Sequence, residues 1–213
     1  MRDVWKLPLA ELTARADEAN RAIPGDTVTY VVNRNANFTR VCQVGCAFCG
    51  FGRRPGTAGA TSDTIDQVVA RVAKTPWVTE VCLQGGIDPN LSPGYYFDLV
   101  RALRSAFPMV HLHAFSPMEI DSLCEKAAQE PEEMVVRLRA AGVGSIPGTA
   151  AEILVNRVRR KISRNKLPAE RWVRIVRAAH LAGLRSSATI MFGHVETWED
   201  IRGHFEVLRR GQG

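Results

Sequence analysis

Short apolar runs alternate along this chain with amphipathic helical stretches. Such alternation is typical of βα units, in which each strand of a parallel sheet is followed by a helix that packs against it. Five strands are predicted, at residues 27–33, 80–84, 110–114, 143–146 and 187–192. The predicted helices are a leading helix at 7–22, helices from about 63 and around 96–103, helices at 118–129, 131–141 and 168–182, and a last helix around 201–208. We therefore expect an α/β protein with an open parallel sheet.

The chain has 213 residues, of which 46% are hydrophobic, and this is enough for one large domain with a proper core. We expect a helical lead-in at residues 1–25 and a single core domain at residues 26–213. A complete barrel of eight βα units typically needs ~250 residues, so five units leave an open sheet whose last strand has an unpaired edge. Either another element covers that edge or the sequence is a fragment.

Three cysteines, Cys42, Cys46 and Cys49, form a C-x3-C-x2-C triplet in the loop after the first predicted strand. Fe–S clusters are normally held by four cysteines, so a triplet that binds a four-iron cluster leaves one iron open to a ligand from outside the protein. Such an iron can chelate the amino and carboxylate groups of S-adenosylmethionine and pass an electron to its sulfonium. The triplet therefore predicts a 4Fe-4S cluster and S-adenosylmethionine as cofactors.

A structural zinc ion is the main alternative for the triplet. Zinc prefers four Cys and His ligands, with a second pair of ligands at short spacing. No such pair follows, because His111 and His113 come more than sixty positions after Cys49. Either histidine would have to return in space as the fourth ligand.

The cysteine count and the start of the sequence indicate a reducing compartment. The five cysteines are an odd number, and the charged first residues do not resemble a signal peptide. Nowhere does the sequence contain the ~18 consecutive apolar residues that a membrane span needs. We expect a cytoplasmic protein that does not contact a membrane.

The formal net charge of +6 could indicate an RNA or phosphate partner. Much of this charge lies in a basic segment, which contains Arg157, Arg159, Arg160, Lys161, Arg164, Lys166, Arg171, Arg174 and Arg177. Aromatic side chains that could stack bases are not interleaved with residues 157–166. A solvated helix face is therefore the favoured interpretation, and a nucleic acid partner is not expected.

Polar residues and glycines cluster where the predicted strands end, which is where ligands of parallel α/β proteins bind. The candidates are Asn33, Asn35, Asn37, Gln84, Gly85, Gly86, His113, Ser116, Glu119, Thr149, Glu152, His194 and Glu196. Each type has a structural alternative: the glycines could form a tight turn, the glutamates could be first-turn helix charges, and the histidines could be satisfied core residues. Convergence on one edge of the sheet favours a binding site.

Several stretches together carry a family resemblance. They are residues 29–39, the cysteine triplet with Phe48, and residues 83–87, 113–119, 145–154 and 191–197. On these stretches the chain resembles the radical S-adenosylmethionine (radical SAM) superfamily, and within it the part of the deazaflavin (FO) synthase family that uses tyrosine. Menaquinone-pathway relatives, the dehypoxanthine futalosine cyclase and aminofutalosine synthase, share several stretches, but Gly-Thr-Ala-Ala-Glu at 148–152 favours the deazaflavin enzyme.

The resemblance implies a partial (βα)6 barrel of the TIM-like, radical SAM type, with a 4Fe-4S cluster and S-adenosylmethionine at its mouth. A 5′-deoxyadenosyl radical would take hydrogen from L-tyrosine, and the hydroxybenzyl unit would pass to 5-amino-6-(D-ribitylamino)uracil. A partner subunit could complete deazaflavin synthesis, and an electron donor protein would reduce the cluster. Family members continue with a sixth strand, which we do not find here, so catalysis by this chain alone is in question.

The resemblance also implies roles for the site residues. Cys42, Cys46 and Cys49 would ligate iron, and Gly85 and Gly86 would lie along the cofactor. Further candidates for cofactor contacts are the polar strand-end residues Ser116, Thr149, Glu152 and Glu196. The candidate catalytic residues are His113, Glu119 and His194.

Two other interpretations of the sequence stay open. One is a non-catalytic Fe–S or zinc module that binds a partner through the basic segment. The other is a radical enzyme that acts on a different substrate, such as futalosine or a tRNA.

Overall fold

The computed structural model describes residues 4–211 and divides the chain after Val31 into two compact units. The first unit contains a short 3-10 helix, Val4–Lys6, and helix α1, Leu9–Arg21, none of whose residues is buried. Within residues 4–211, no helix combines the length and the apolar character needed to cross a membrane. The sequence predicted a helical lead-in at residues 1–25 and a core domain at residues 26–213. This domain organisation stays a prediction.

The second unit contains a five-stranded parallel sheet in which neighbours along the chain are neighbours in space. Its strands, in this order, are β1 (Asn33–Asn37), β2 (Glu80–Gln84), β3 (His111–Ala114), β4 (Ser145–Ile146) and β5 (Arg185–Ser186). The helices are α2 (Ile65–Ala73), α3 (Pro93–Ala106), α4 (Pro117–Ala127), α5 (Pro131–Ala141), α6 (Asn156–Ile162), α7 (Ala169–Leu181) and α8 (Trp198–Gly211). The α/β fold with about five βα units, arranged as part of a TIM-like barrel, is confirmed.

Local sequence signals set several helix ends. Ser92 and Ser116 are N-caps whose hydroxyls accept a hydrogen bond from the first turn, and each is followed by a proline that fits the first helical position. Thr64 and Gln67 form a reciprocal capping box at the start of α2. Helix α5 ends at Gly142, whose φ of 119° lies in the region that favours glycine. These contacts satisfy backbone groups that the helix itself leaves unpaired.

The apolar core lies between one face of the sheet and the helices. Val81 and Leu83 on β2 and Leu112 on β3 are fully buried, and they belong to one cluster with residues of α2 to α5 and α7. Three rings at the centre of this cluster pack edge to face: Phe38 lies 5.4 Å from Tyr96, and Tyr96 lies 5.2 Å from Phe115, between ring centroids. Edge-to-face packing adds to the stabilisation from burial, and it holds Phe38, just after β1, and Phe115, just after β3, against α3.

The other face of the sheet is polar. Alternation along the strands places on it Asn33, Asn35, Asn37, Glu80, Cys82, Gln84, His111, His113 and Ser145. A closed barrel packs bulky branched side chains on this inner face. The polar inner face of this sheet is therefore suited to line a space for polar ligands.

Two strand predictions were wrong in position. The first strand was predicted at residues 27–33, but β1 begins at Asn33, and Tyr30 within the predicted run is 85% exposed. The fifth was predicted at residues 187–192, but β5 is Arg185–Ser186, and Phe192 is 69% exposed. Apolar, β-branched residues indicate a propensity to form a strand, but the ladder partner decides which residues pair, as when Asn33–Asn37 pairs with Glu80–Gln84.

The interpretation of the basic segment as a solvated helix face was also wrong for several of its members. Arg159, on the unpredicted helix α6, is 3% exposed, and its guanidinium donates to the carbonyl oxygens of Ala151 and Leu167. Lys166 pairs with Glu152, and both side chains are almost fully buried. Charge spacing along the sequence does not reveal backbone carbonyls from other segments, and here those carbonyls satisfy the buried cation.

Gly148, just after β4, permits a close backbone approach. A Cβ added there would lie 1.5 Å from the carbonyl oxygen of Ser187. Because backbone must move to relieve this overlap, we expect Gly148→Ala to lower the free energy of unfolding by about 2 kcal/mol or more. Urea unfolding followed by circular dichroism measures this change.

Gly94→Ala is the matched control, because a Cβ on Gly94 in α3 has the Ser92 hydroxyl at 3.5 Å as its nearest contact. We expect this control to unfold near the wild-type midpoint. Equal midpoints for the two variants would contradict the close approach at Gly148.

Candidate functional site

The three cysteines of the triplet lie in the loop between β1 and α2, at the carboxyl edge of the sheet. Backbone hydrogen bonds fix this loop: the Cys42 N–H donates to the Arg53 carbonyl at 2.8 Å, and the Gln43 N–H donates to the Ile87 carbonyl at 3.0 Å. A Cβ added at Gly52 would lie 3.9 Å from Cys42 Sγ and 3.7 Å from Cys49 Sγ. The sulfur atoms of Cys42 and Cys49 therefore face the same small space.

A cavity of about 380 Å³ brings the triplet together with the carboxyl ends of the strands. Nine of the residues to which the resemblance assigned roles line it: Cys42, Cys46, Cys49, Gly85, Gly86, Ser116, Glu119, Thr149 and Glu152. The inner-face amides Asn35, Asn37 and Gln84 line it as well. The cavity is therefore apolar at the cysteine loop and rich in hydrogen-bonding groups at the sheet.

Glu119 is the most deeply buried carboxylate of this cavity, with 1% of its surface exposed. Its Oε1 accepts a hydrogen bond from the Gly85 N–H at 2.8 Å, and its Oε2 accepts from the N–H and the hydroxyl of Ser116 at 2.7 and 2.6 Å. Burial raises the pKa of Glu119 to about 7, against the opposing effect of these hydrogen bonds. Glu119 thereby ties the loop after β2 to the loop after β3.

The Gly-Gly pair sits where the loop after β2 meets the cysteine loop. A Cβ on Gly86 would lie 2.2 Å from the Val41 carbonyl oxygen, and a Cβ on Gly85 would lie 2.8 Å from the Phe38 ring. The Gly86 N–H also donates to the Thr39 carbonyl at 3.0 Å. Both glycines therefore have a packing role, and both line the cavity.

The far side of the cavity is formed by the loop after β4. Gln84 donates to the Thr149 hydroxyl at 2.8 Å, so β2 and this loop are joined across the sheet. Lys166 pairs with Glu152, and its ammonium lies 5.2 Å from the centroid of the Phe48 ring. Ala150 and Glu152 have φ values of 62° and 43°, an uncommon backbone conformation that tends to mark functional loops.

His113 lies on the inner face of the sheet and does not line the cavity. Its Nδ1 is 2.6 Å from the Ser145 hydroxyl, and His111 Nε2 is 2.7 Å from the same oxygen. Burial lowers the pKa of His113, which favours a neutral imidazole. His111, His113 and Glu80 could also hold a metal ion, since ligand atoms from the three lie within 4.8 Å of one another.

His194 and Glu196 are the two predicted site residues that lie in a separate loop, between β5 and α8. Glu196 accepts hydrogen bonds from the N–H groups of Gly193 and His194, and these bonds lower its pKa to about 2. His194 Nε2 is 2.9 Å from the Met191 carbonyl oxygen, so the imidazole donates there. These contacts are made within the loop, and neither residue lines the cavity.

Sequence reasoning missed Lys166 and Met118 as cavity residues and Ser163 as a contact of Cys46. Lys166 was assigned to a solvated surface because its neighbours in sequence are basic. Ser163 carried no recognisable signal, since it lies 117 positions from the cysteine that it contacts. Only the fold brings these residues to the cysteine loop.

The donor set of the cavity fits a 4Fe-4S cluster better than a closed zinc site. Among the residues that the structure describes, no fourth cysteine and no histidine line the cavity. Cys124 is buried on α4, and Cys82 lies on β2. A closed tetrahedral zinc site needs four protein ligands, whereas a four-iron cluster on three cysteines keeps one iron for another ligand.

Known proteins with similar sequences support this interpretation. The sequence profile of the radical SAM superfamily matches residues 36–208. An FO synthase of Mycobacterium tuberculosis (strain ATCC 25618 / H37Rv) is 48% identical over 203 residues, which cover 94% of this chain and 24% of that protein. A 5-amino-6-(D-ribitylamino)uracil–L-tyrosine 4-hydroxyphenyl transferase of Methanosphaerula palustris is 41% identical over 98% of this chain and 56% of that protein.

Solved structures share the fold at low sequence identity. Methylornithine synthase (PylB) superimposes with a TM-score of 0.70 at 17% identity, over 98% of this chain and 59% of that chain. The FeFe-hydrogenase maturase HydG from Carboxydothermus hydrogenoformans gives a TM-score of 0.68 at 17% identity, over 97% of this chain and 48% of that chain. With the family profile extending over most of its length, the chain belongs to the radical SAM superfamily.

Proposed function

We propose that this chain is the radical SAM core of a deazaflavin-synthesising transferase. The enzyme would transfer the hydroxybenzyl part of L-tyrosine to 5-amino-6-(D-ribitylamino)uracil. The observation that carries the proposal is the cavity in which three thiols meet the polar carboxyl edge of a parallel sheet. The choice of substrates is supported by the 41% identity to the transferase of Methanosphaerula palustris, whose name gives both compounds.

Membership of the superfamily implies a 4Fe-4S cluster and S-adenosylmethionine as cofactors. When bound, these cofactors supply a 5′-deoxyadenosyl radical that abstracts hydrogen from the substrate. The residues of this chain that would hold them are the thiolates of Cys42, Cys46 and Cys49. Ser116, Thr149 and Glu152, which line the same cavity, would contact the cofactor.

Glu119 acts in this proposal as a positioning residue. Its carboxylate oxygens already accept three hydrogen bonds, from Gly85 and from two groups of Ser116. It therefore orients the backbone of the Gly-Gly turn and the cap of α4 toward the cofactor.

The polar inner face supplies contacts for the two substrates. The side-chain amides of Asn35, Asn37 and Gln84 each present both donors and acceptors at the cavity, which matches the mixed edge of an aminouracil. His113, a neutral imidazole that the Ser145 hydroxyl links to His111, does not line the cavity, so it would act only on a substrate that extends along the inner face of the sheet. His194 and Glu196 would act on substrate only if their loop moved toward the cavity.

The chain spans 24% of the length of the FO synthase of Mycobacterium tuberculosis and 56% of that of the Methanosphaerula transferase. The remaining steps of deazaflavin synthesis would fall to other segments or to a partner subunit, and an electron donor protein would reduce the cluster. The location that we propose is the cytoplasm, where thiols and a reduced cluster persist.

Cys46→Ala tests the cluster. The variant lacks one of three iron ligands, so after anaerobic reconstitution we expect it to lose bound iron and to give no measurable cleavage of S-adenosylmethionine. Iron analysis and chromatography of 5′-deoxyadenosine measure both. Cys124→Ala, at a buried cysteine on α4 outside the cavity, should keep iron and cleavage. Stoichiometric zinc without iron in the wild type would refute the proposal.

The substrates are tested with L-tyrosine labelled in the ring with carbon-13. We expect the labelled ring to appear in an adduct of 5-amino-6-(D-ribitylamino)uracil, detected by mass spectrometry, when S-adenosylmethionine and a reductant are present. The control reaction omits the uracil. Cleavage of S-adenosylmethionine that depends on a futalosine-type nucleoside instead of tyrosine would assign the chain to a menaquinone-pathway activity.

The raised pKa of Glu119 predicts a pH-dependent stability. Its folded pKa of about 7 exceeds the ordinary value of 4.5. The protonated side chain therefore makes its full contribution to the free energy of unfolding below pH 4.5, and this contribution is lost as the pH rises through the folded pKa. Glu119→Gln does not titrate. The free energy of unfolding of the wild type, relative to this variant, should therefore fall between about pH 4.5 and about pH 7. A pH-independent difference in urea unfolding would contradict the raised pKa.

A further inference from the structure

Cys46 has a buried hydrogen-bonding partner from a distant part of the chain. The Ser163 hydroxyl oxygen lies 2.9 Å from Cys46 Sγ, and Ser163 is 3% exposed. A cysteine that ligates iron is a thiolate, which has no proton to donate. In the cluster-bound protein the Ser163 O–H must therefore be the donor and the sulfur the acceptor.

The position of Ser163 is fixed against the cysteine loop by hydrogen bonds on both sides of it. The Ala47 N–H donates to the Ile162 carbonyl at 2.9 Å, and the Asn165 side-chain amide donates to the Val44 carbonyl at 3.2 Å. The cysteine loop and the segment that contains Ser163, residues 162–165, therefore contact each other directly. A hydroxyl held in this way keeps its distance to the sulfur without an additional entropic cost.

The Ser163 segment is itself anchored by Arg159. The Ser163 N–H donates to the Arg159 carbonyl at 2.8 Å, and the Arg159 guanidinium donates to the Leu167 carbonyl at 3.1 and 2.6 Å. The buried Arg159 therefore holds in place the turn that carries Ser163.

We propose that Ser163 donates an O–H···S hydrogen bond to the cluster-ligating Cys46 and thereby raises the reduction potential of the cluster. The inference rests on the proposed function, since it requires the cluster. Reduction adds negative charge to the cluster and its sulfur ligands, and a hydrogen bond to a sulfur stabilises the more negative state. Ser163 is thus a positioning and tuning residue, and it makes no contact with substrate in this role.

The test is an EPR-monitored redox titration of the anaerobically reconstituted full chain. Ser163→Ala should lower the equilibrium constant for one-electron reduction about tenfold, which corresponds to about 59 mV. Ser122→Ala is the matched control, because Ser122 is a similarly buried serine on α4 outside the cavity, and its potential should equal that of the wild type.

A second pair of variants separates the hydroxyl from the packing at this buried position. Ser163→Thr and Ser163→Val have nearly the same shape, but only threonine keeps the hydroxyl. The threonine variant should hold a potential near the wild-type value, and the valine variant should follow the alanine variant. If the threonine and valine variants have equal reduction potentials, the inference is overturned. This comparison decides the question even if Ser163→Ala does not retain its cluster.

The outcome distinguishes this inference from the proposed function. If the reconstituted wild-type protein gives no 4Fe-4S signal in EPR, the proposed function itself is refuted. A wild-type protein with the cluster, and with the same potential in Ser163→Ala, keeps the proposed function and removes the role of Ser163.

Discussion

Parallel backbone pairing between consecutive strands holds the carboxyl ends of β1 to β4 at one edge of the sheet, and the site depends on this arrangement. The cysteine loop follows β1, the Gly-Gly turn follows β2, the Ser116 cap follows β3, and the Thr149 loop follows β4. Residues more than one hundred positions apart therefore line one cavity. Each loop contributes different chemical groups to the cavity. One continuous segment of the chain could not bring all of these groups together.

Close backbone contacts make the cavity rigid. Gly86 allows the Val41 carbonyl to approach the turn after β2, and Glu119 joins that turn to Ser116 across the strand ends. Burying a carboxylate is unfavourable unless its oxygens are satisfied, and the three donors around Glu119 offset part of that cost. A preorganised set of loops loses little entropy when a cofactor binds, which favours tight and oriented binding.

Two buried cations stabilise the side of the cavity that is formed by the loop after β4 and the segment that follows it. Arg159 is satisfied by carbonyl oxygens and Lys166 by Glu152, so both charges are removed from water without being left unpaired. The segment that they anchor is the one that contacts the cysteine loop through Ile162 and Ser163. In this way a basic stretch that resembles surface in the sequence becomes part of the support for the proposed cluster.

The sequence by itself determined the fold class, the helices with clear caps and apolar faces, and the cysteine triplet, because all of these depend on local spacing. It placed β2 and β3 well, since their buried residues alternate, and it misplaced β1 and β5, where the pairing partner decides which residues form the ladder. Of the residues to which the resemblance assigned roles, nine line the cavity, while His113, His194 and Glu196 lie elsewhere. Only the tertiary structure decided that Arg159 is buried and that Ser163 meets Cys46, because hydrogen bonds between distant segments leave no periodic trace in the order of residues.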